Sequence, residues 1–130
     1  MKRLFDGCVA LTGTLISFLL GEWDLPIAVL VCFMAADYVT GVLLAISRRE
    51  LSSAVGFKGI AKKAAILLVI VLAVLLDRLT HDGSWTFRTL TAYFYLANEG
   101  ISLLENAGNL GVPIPEKLRC ILAQLNDRDT

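Results

Sequence analysis

The stretch TLTAYFYLANEGISLLENAGNLG, residues 89–111, combines a membrane-length apolar run with a stripe of polar side chains. Asn98, Ser102 and Glu105 recur every three to four residues, so on a helix they share one face, with Glu99 and Asn106 beside them. A carboxylate at the centre of a bilayer costs roughly 2.5–3.5 kcal/mol on insertion scales. A span that carries two glutamates therefore has to bury them against protein or expose them to water.

The rest of the chain is equally typical of a membrane protein. Hydrophobic residues make up 56% of the 130 residues, charged residues make up 18%, and mean hydropathy is +0.68. The apolar runs predict an all-α polytopic integral membrane protein, a single membrane domain over residues 1–130. Its spans are expected at about 7–21, 25–47, 60–79 and 89–111. Four spans are favoured over three, although the first and third apolar runs are short.

The basic residues predict the orientation. A basic cytoplasmic loop is expected over 48–63 and a cytoplasmic tail over 112–130. With four spans and both termini cytoplasmic, only Arg78 and Arg88 of the twelve basic residues lie outside, as the positive-inside rule expects. Three spans would make the distribution nearly even. The loop residues expected to meet anionic headgroups at the membrane surface are Arg48, Arg49, Lys58, Lys62 and Lys63.

A second polar group interrupts the second span. Gly41 would permit close approach of another helix, and Thr40 could hydrogen-bond across that contact, beside Asp37. A clamp between helices and a role in an aqueous path fit this pattern equally. The fourth segment could instead lie on the cytoplasmic leaflet, but such helices usually carry Lys or Arg on the polar face. We therefore expect pore or inter-helix polar contacts from Asp37, Thr40, Gly41, Asn98, Glu99, Ser102, Glu105 and Asn106.

The chain shows no pattern typical of catalysis. Cys8, Cys32 and Cys120 lack metal-ligand spacing, and no nucleophile–base pair or phosphate-binding loop is present. We expect no enzyme activity, no metal, no cofactor and no nucleic-acid partner.

Several stretches, in order along roughly residues 37–118, resemble the phage holins of the toxin-secretion and phage-lysis type. They are Asp37-x-x-x-Gly41, Leu51-Ser52-Ser53 leading to Gly56-Phe57-Lys58-Gly59-Ile60-x-Lys62-Lys63, Asp77, Tyr95-x-x-Asn98-Glu99-Gly100-Ile101-Ser102-x-x-Glu105-Asn106, and Gly111-x-Pro113-x-Pro115. The resemblance implies a multi-pass protein of the bacterial host's cytoplasmic membrane. Such a protein associates with itself in the lipid bilayer and forms lesions. The lesions release an endolysin, or in some relatives a toxin, without required direct contact, and so lead to host cell lysis.

Two other functions fit a chain of this size. One is a small four-helix proton-coupled cation transporter, which usually depends on a buried glutamate in its first span, whereas residues 7–21 carry no charge. The other is an antiholin or another regulatory membrane protein, whose carboxylates would only hold helices together. Loss of membrane integrity separates a holin from both.

Overall fold

The computed structural model describes residues 1–80 and 83–128, without the side chains of residues 126–128. This part of the chain forms five helices: α1 (Lys2–Leu20), α2 (Leu25–Ser47), α3 (Ser53–Thr80), α4 (Thr86–Asn109) and α5 (Glu116–Arg128). The expected all-α class is confirmed. Within the described ranges, α1, α2 and α3 are long and apolar enough to cross a membrane. The fourth span and the side on which the termini lie stay predictions.

The buried core lies where α2, α3 and α4 meet. Its residues recur at helical spacing on each helix, as in Ile66, Ile70 and Val74 of α3. The full set is Ile27, Leu30, Met34, Ile66, Ile70, Val74, Ala92 and Leu96. In a bilayer, lipid tails are as apolar as these side chains, so close van der Waals packing and polar contacts hold such helices together. The polar contacts between α2, α3 and α4 therefore help to fix how these helices pack.

The helix α3 begins earlier than the sequence suggested. It starts at Ser53, so only residues 48–52 form the link after α2, and the later part of the predicted loop is helical. Gly59 faces the ring of Tyr38, where a Cβ atom would lie 3.3 Å from the ring carbons. The glycines that we read as loop residues thus admit an aromatic ring from α2. With 28 residues, α3 is about 42 Å long, longer than a hydrocarbon core of about 30 Å.

The predicted tail contains a helix that packs on its own chain. After Gly111, whose φ of 94° is in the left-handed region, the chain reverses and α5 folds back on α4. Leu122 is buried there, against Gly100 of α4. A Cβ atom at Gly100 would lie 3.1 Å from Leu122 Cδ1 and 3.1 Å from Phe33 Cε2. The small residue therefore lets α2 and α5 approach α4 at one point.

Candidate functional site

The polar residues of the three packed helices meet in an inner cluster, defined by Asp37, Thr40, Lys63, Glu99 and Asn106. At its centre Lys63 Nζ lies 2.6 Å from Asp37 Oδ2 and 2.6 Å from Glu99 Oε2. The exposed fractions of these side chains are 13% for Lys63, 12% for Asp37 and 3% for Glu99. One ammonium group from α3 thus joins a carboxylate of α2 to a carboxylate of α4.

Asn106 completes the inner cluster on the side of α2. Its Nδ2 donates to Asp37 Oδ1 at 2.9 Å and lies 3.1 Å from Thr40 Oγ1 and 3.2 Å from the Asp37 carbonyl. The Thr40 hydroxyl donates to the Ala36 carbonyl of its own helix at 2.8 Å. Gly41 lies beside this amide, where a Cβ atom would make an ordinary contact at 3.7 Å. Asp37 consequently has hydrogen-bond donors besides Lys63, in Asn106 and Ser102, whereas Lys63 is the described donor to Glu99.

The electrostatics of the inner cluster favour a fixed helix arrangement. Ion pairs in a low-dielectric interior are stabilising only if the charges are closely paired and their remaining bonding capacity is used. Lys63 and Asn106 meet that condition for Asp37. Removal of Lys63 would leave two carboxylates facing each other across the α2–α4 interface.

A second, outer cluster, defined by Asp24, Asp77 and Arg88, lies at the opposite end of α3. The guanidinium forms a two-pronged pair with Asp24, with Nη1–Oδ2 at 2.8 Å and Nη2–Oδ1 at 3.1 Å. Its Nε also donates to the Leu20 carbonyl at 2.6 Å, and Nη2 donates to the Glu22 carbonyl. Arg88 is only 1% exposed. It therefore fastens the start of α4 to the link between α1 and α2.

Gly21 makes room for this arginine. Its φ of 78° is in the left-handed region, and a Cβ atom there would lie 2.7 Å from Arg88 Nε. The Arg88 guanidinium, which donates to the Asp24 side chain, holds the pKa of that carboxyl below its usual value. Asp24 lies just before α2 and also accepts a hydrogen bond from the Ile27 amide at 3.3 Å.

Asp77 supplies the missing cap of α4. Trp85, at the N-cap position, makes no side-chain capping bond. Instead the buried Asp77 of α3 accepts hydrogen bonds from the amides of Phe87 at 2.9 Å and Arg88 at 2.8 Å. Next to it, the Arg78 guanidinium donates to the Phe18 carbonyl at 2.9 Å. The two Asp77 bonds fix the register of α3 against α4, and the Arg78 bond joins α3 to α1.

The two clusters bracket the apolar core. Lys63 and Asp77 are 14 residues apart on α3, a rise of about 21 Å. On α4, Arg88 and Glu99 are 11 residues apart, a rise of about 16 Å. If the outer cluster marks one boundary of a hydrocarbon core of about 30 Å, Glu99 lies close to the centre of that core. Its ion pair with Lys63 then offsets the cost of a carboxylate at that depth.

The polar stripe expected along the fourth segment divides into two sets. Glu99 and Asn106 face α2 and α3 in the inner cluster, and Ser102 lines the space beside Asp37. Asn98 and Glu105 line a groove between α3 and α4, on the outside of the bundle. The structure thus brings most of the predicted polar residues of α2 and α4 together. Asn98 and Glu105 lie outside the inner cluster, in a groove that Glu99 and Ser102 also line.

The basic residues of the predicted loop are also divided. Arg48 and Arg49 lie in the link after α2, while Lys58, Lys62 and Lys63 lie in α3. Lys63 is paired with two carboxylates, which its assignment to the basic loop did not predict. Two carboxylates within apolar runs require a nearby cation, and that signal points to Lys62 or Lys63 without separating them. The pairing of Arg88 with Asp24 was also missed, because it joins residues far apart in the sequence.

Comparison with known proteins gives consistent matches. The model of the bacteriophage holin family matches residues 14–127. An uncharacterised 14.9 kDa protein of Clostridium perfringens is 53% identical over 94% of this chain and 92% of its own length. An uncharacterised protein of Listeria monocytogenes is 46% identical over 85% of this chain and 78% of its own length.

A phage protein is among the relatives. A probable holin of Bacillus phage phi105 is 39% identical over 61% of this chain and 58% of its own length. No solved structure matches the chain significantly. The family match spans both polar clusters and most of the helices, and it confirms the resemblance seen in the sequence. The chain therefore belongs to the bacteriophage holin family.

Proposed function

We propose that this protein is a holin that associates with itself in the cytoplasmic membrane of a bacterial host and opens lesions there. A cytosolic endolysin, or a toxin, passes through the lesions without direct contact with the holin. The observation that carries the proposal is the family match over residues 14–127, with apolar helices that suit a membrane protein. The holin family is not enzymatic, and the polar clusters hold helices together without presenting a nucleophile and a base.

The proposal includes four spans, with α4 as the fourth. The outer and inner clusters tie α4 to α3 at two levels about 21 Å apart along α3, so α4 lies beside a helix that can cross a membrane. Arg88 and Glu99, the charges that lower its hydropathy, are 1% and 2% exposed. The exposed large hydrophobic side chains on the outer half of α4 are Phe87, Leu90 and Tyr93, which suit lipid. Both termini then lie on one side, which the basic residues make cytoplasmic.

Self-association is supported by the surface of α1. This helix has no buried residue; it packs against α3, and its last residue, Leu20, accepts the hydrogen bond from Arg88 of α4. The hydroxyls of Thr12 and Thr14 donate to carbonyls of their own helix, each at 2.8 Å, so they need no partner. Most of the surface of α1 is therefore available to lipid or to another copy. Lesions that grow by addition of copies require such a surface.

The proposal is tested with purified protein in vesicles of bacterial phospholipids that contain a small dye and a protein-sized fluorescent dextran. We expect release of both cargoes above a threshold ratio of protein to lipid. The Lys58→Arg variant, changed at an exposed position of α3, serves as matched control and should behave like the unchanged protein. Release of the dye alone, or no release from vesicles that contain the inserted protein, would contradict lesion formation.

An antiholin is the second candidate function, and the inner cluster is the observation that favours it. The described ion pairs of Asp37 and Glu99 lie within one chain, so these carboxylates stabilise a closed bundle. A protein of this kind would associate and leave the vesicles sealed. The dextran measurement separates the two functions.

A further inference from the structure

The outer surface of the bundle carries a groove between α3 and α4, and Glu99 of the inner cluster forms part of its lining. Its volume is about 600 Å³. The groove has Lys62 and Val69 on the α3 wall, and Tyr95, Asn98 and Glu105 on the α4 wall. Among the described residues, no hydrogen bond or ion pair involves Lys62, Asn98 or Glu105. Opposite charges thus stand unpaired on the two walls of one groove.

The two charges lie at nearly the same depth in the membrane. The Asp77 bonds to the Phe87 and Arg88 amides set the register of the two helices. From Asp77 back to Lys62 the rise along α3 is about 23 Å, and from Arg88 to Glu105 the rise along α4 is about 26 Å. The difference of about 3 Å is within the reach of a lysine side chain. A two-fold axis along the membrane normal preserves depth, so it would place Lys62 of one copy opposite Glu105 of another.

We propose that this groove is a contact face between two copies of the chain, related by a two-fold axis along the membrane normal. Lys62 of each copy pairs with Glu105 of the other, and two identical ion pairs form, as a self-complementary interface requires. The Tyr95 hydroxyl and the Asn98 amide supply hydrogen-bonding groups within the same face. The occupant of the groove is a second copy, because the positive and negative charges of one groove complement those of an identical groove. The inference rests on the proposed function, since it names the surface through which a holin associates.

Charge reversal tests the contact in the full-length chain. Cys8 and Cys32 are changed to serine, so that a dye can be attached to the exposed Cys120 alone. One sample carries the donor dye and the other the acceptor dye. The two are reconstituted together in vesicles, and energy transfer between the dyes measures association. Lys62→Glu alone and Glu105→Lys alone place like charges opposite each other and should weaken association by roughly tenfold. The double variant, Lys62→Glu with Glu105→Lys, should restore it. Lys58→Glu, on the same helix but outside the groove, is the matched control and should have no effect.

A mixture of the two single variants gives the sharpest result. In a mixed dimer both facing pairs are again of opposite charge, so energy transfer between Lys62→Glu and Glu105→Lys copies should exceed that within either sample. Helix content by circular dichroism, equal to that of the unchanged protein, shows that each variant is folded. Single variants that associate normally, or mixtures that gain nothing, would overturn the inference. Dextran release is measured separately. Normal energy transfer without dextran release would contradict lesion formation but would still support the contact between the two copies.

Discussion

Replacement of Lys63 by methionine should destabilise the bundle more than any other change of a single lysine in α3. The substitution keeps an unbranched side chain of similar length and removes the charge that joins Asp37 to Glu99. Both carboxylates have side chains that are nearly or fully buried, 12% and 3% exposed, and each lies 2.6 Å from Lys63 Nζ. Removal of one partner from a buried ion pair costs about 3–5 kcal/mol, because the remaining charge stays buried without compensation.

The two carboxylates should not contribute equally to this loss. Asp37 keeps the hydrogen bond from Asn106 Nδ2 at 2.9 Å, whereas the described donor to Glu99 is Lys63 alone. On the Lys63→Met background, Glu99→Gln should therefore recover more of the free energy of unfolding than Asp37→Asn. All three changes together should recover most of it, since a neutral cluster has no charge to bury.

The assay is unfolding of the purified protein in mixed micelles by increasing SDS, followed by circular dichroism. Lys58→Met is the matched control, because Lys58 is exposed on the same helix, and its effect should be within about 0.5 kcal/mol. A Lys63→Met protein as stable as this control would refute the reasoning. A triple variant as unstable as Lys63→Met alone would also refute it, because the cost would then not arise from unpaired charge.

Three further predictions concern the outer cluster and use the same unfolding measurement. Asp77→Ala removes the acceptor of two α4 amides and should cost about 1–2 kcal/mol, as loss of a helix cap does; an unchanged stability would show that α4 begins without this cap. Gly21→Ala should destabilise by at least about 1 kcal/mol, because its φ is 78° and the new Cβ would lie 2.7 Å from Arg88 Nε; a neutral effect would contradict the tight fit. The Arg88 hydrogen bond lowers the pKa of Asp24, so the Asp24 carboxylate stabilises the protein above the usual aspartate pKa of about 3.9. This stabilisation is lost as the pH falls through the lowered pKa, and Asp24→Asn should therefore make stability less dependent on acid pH. An Asp24→Asn protein with the same pH profile as the unchanged protein would show that this pair does not cause the acid dependence.

The sequence predicted the helices well and their partners poorly. Apolar runs placed α1, α2 and α3, because the period and length of such runs are local properties of the chain. The basic loop predicted over 48–63 includes Gly56 and Gly59, which lie in α3 in the structure, where Tyr38 packs against Gly59. Which side of a helix meets which neighbour depends on tertiary packing, and a single sequence does not contain that information in readable form.

For the polar clusters too, the sequence indicated individual residues but not their partners. Asp37, Glu99 and Asn106 could be chosen from the sequence because polar groups inside apolar runs are costly. The cation that joins them could not be separated from its neighbour Lys62 without the α3 register. Arg88 was read as a charge of the outer link, whereas its partners lie 64 to 68 residues earlier in the chain. Long-range pairs of this kind are visible only once the helices are assembled.

The central claim is that this member of the holin family opens the cytoplasmic membrane of a bacterium to proteins. It is tested most directly by induced expression in a bacterial host, with and without a cytosolic endolysin, while membrane potential and culture density are followed. We predict sudden loss of potential and growth arrest with the protein alone, and lysis only when the endolysin is also present. An intact potential and no lysis, in cells whose membranes contain the full-length protein, would contradict the account.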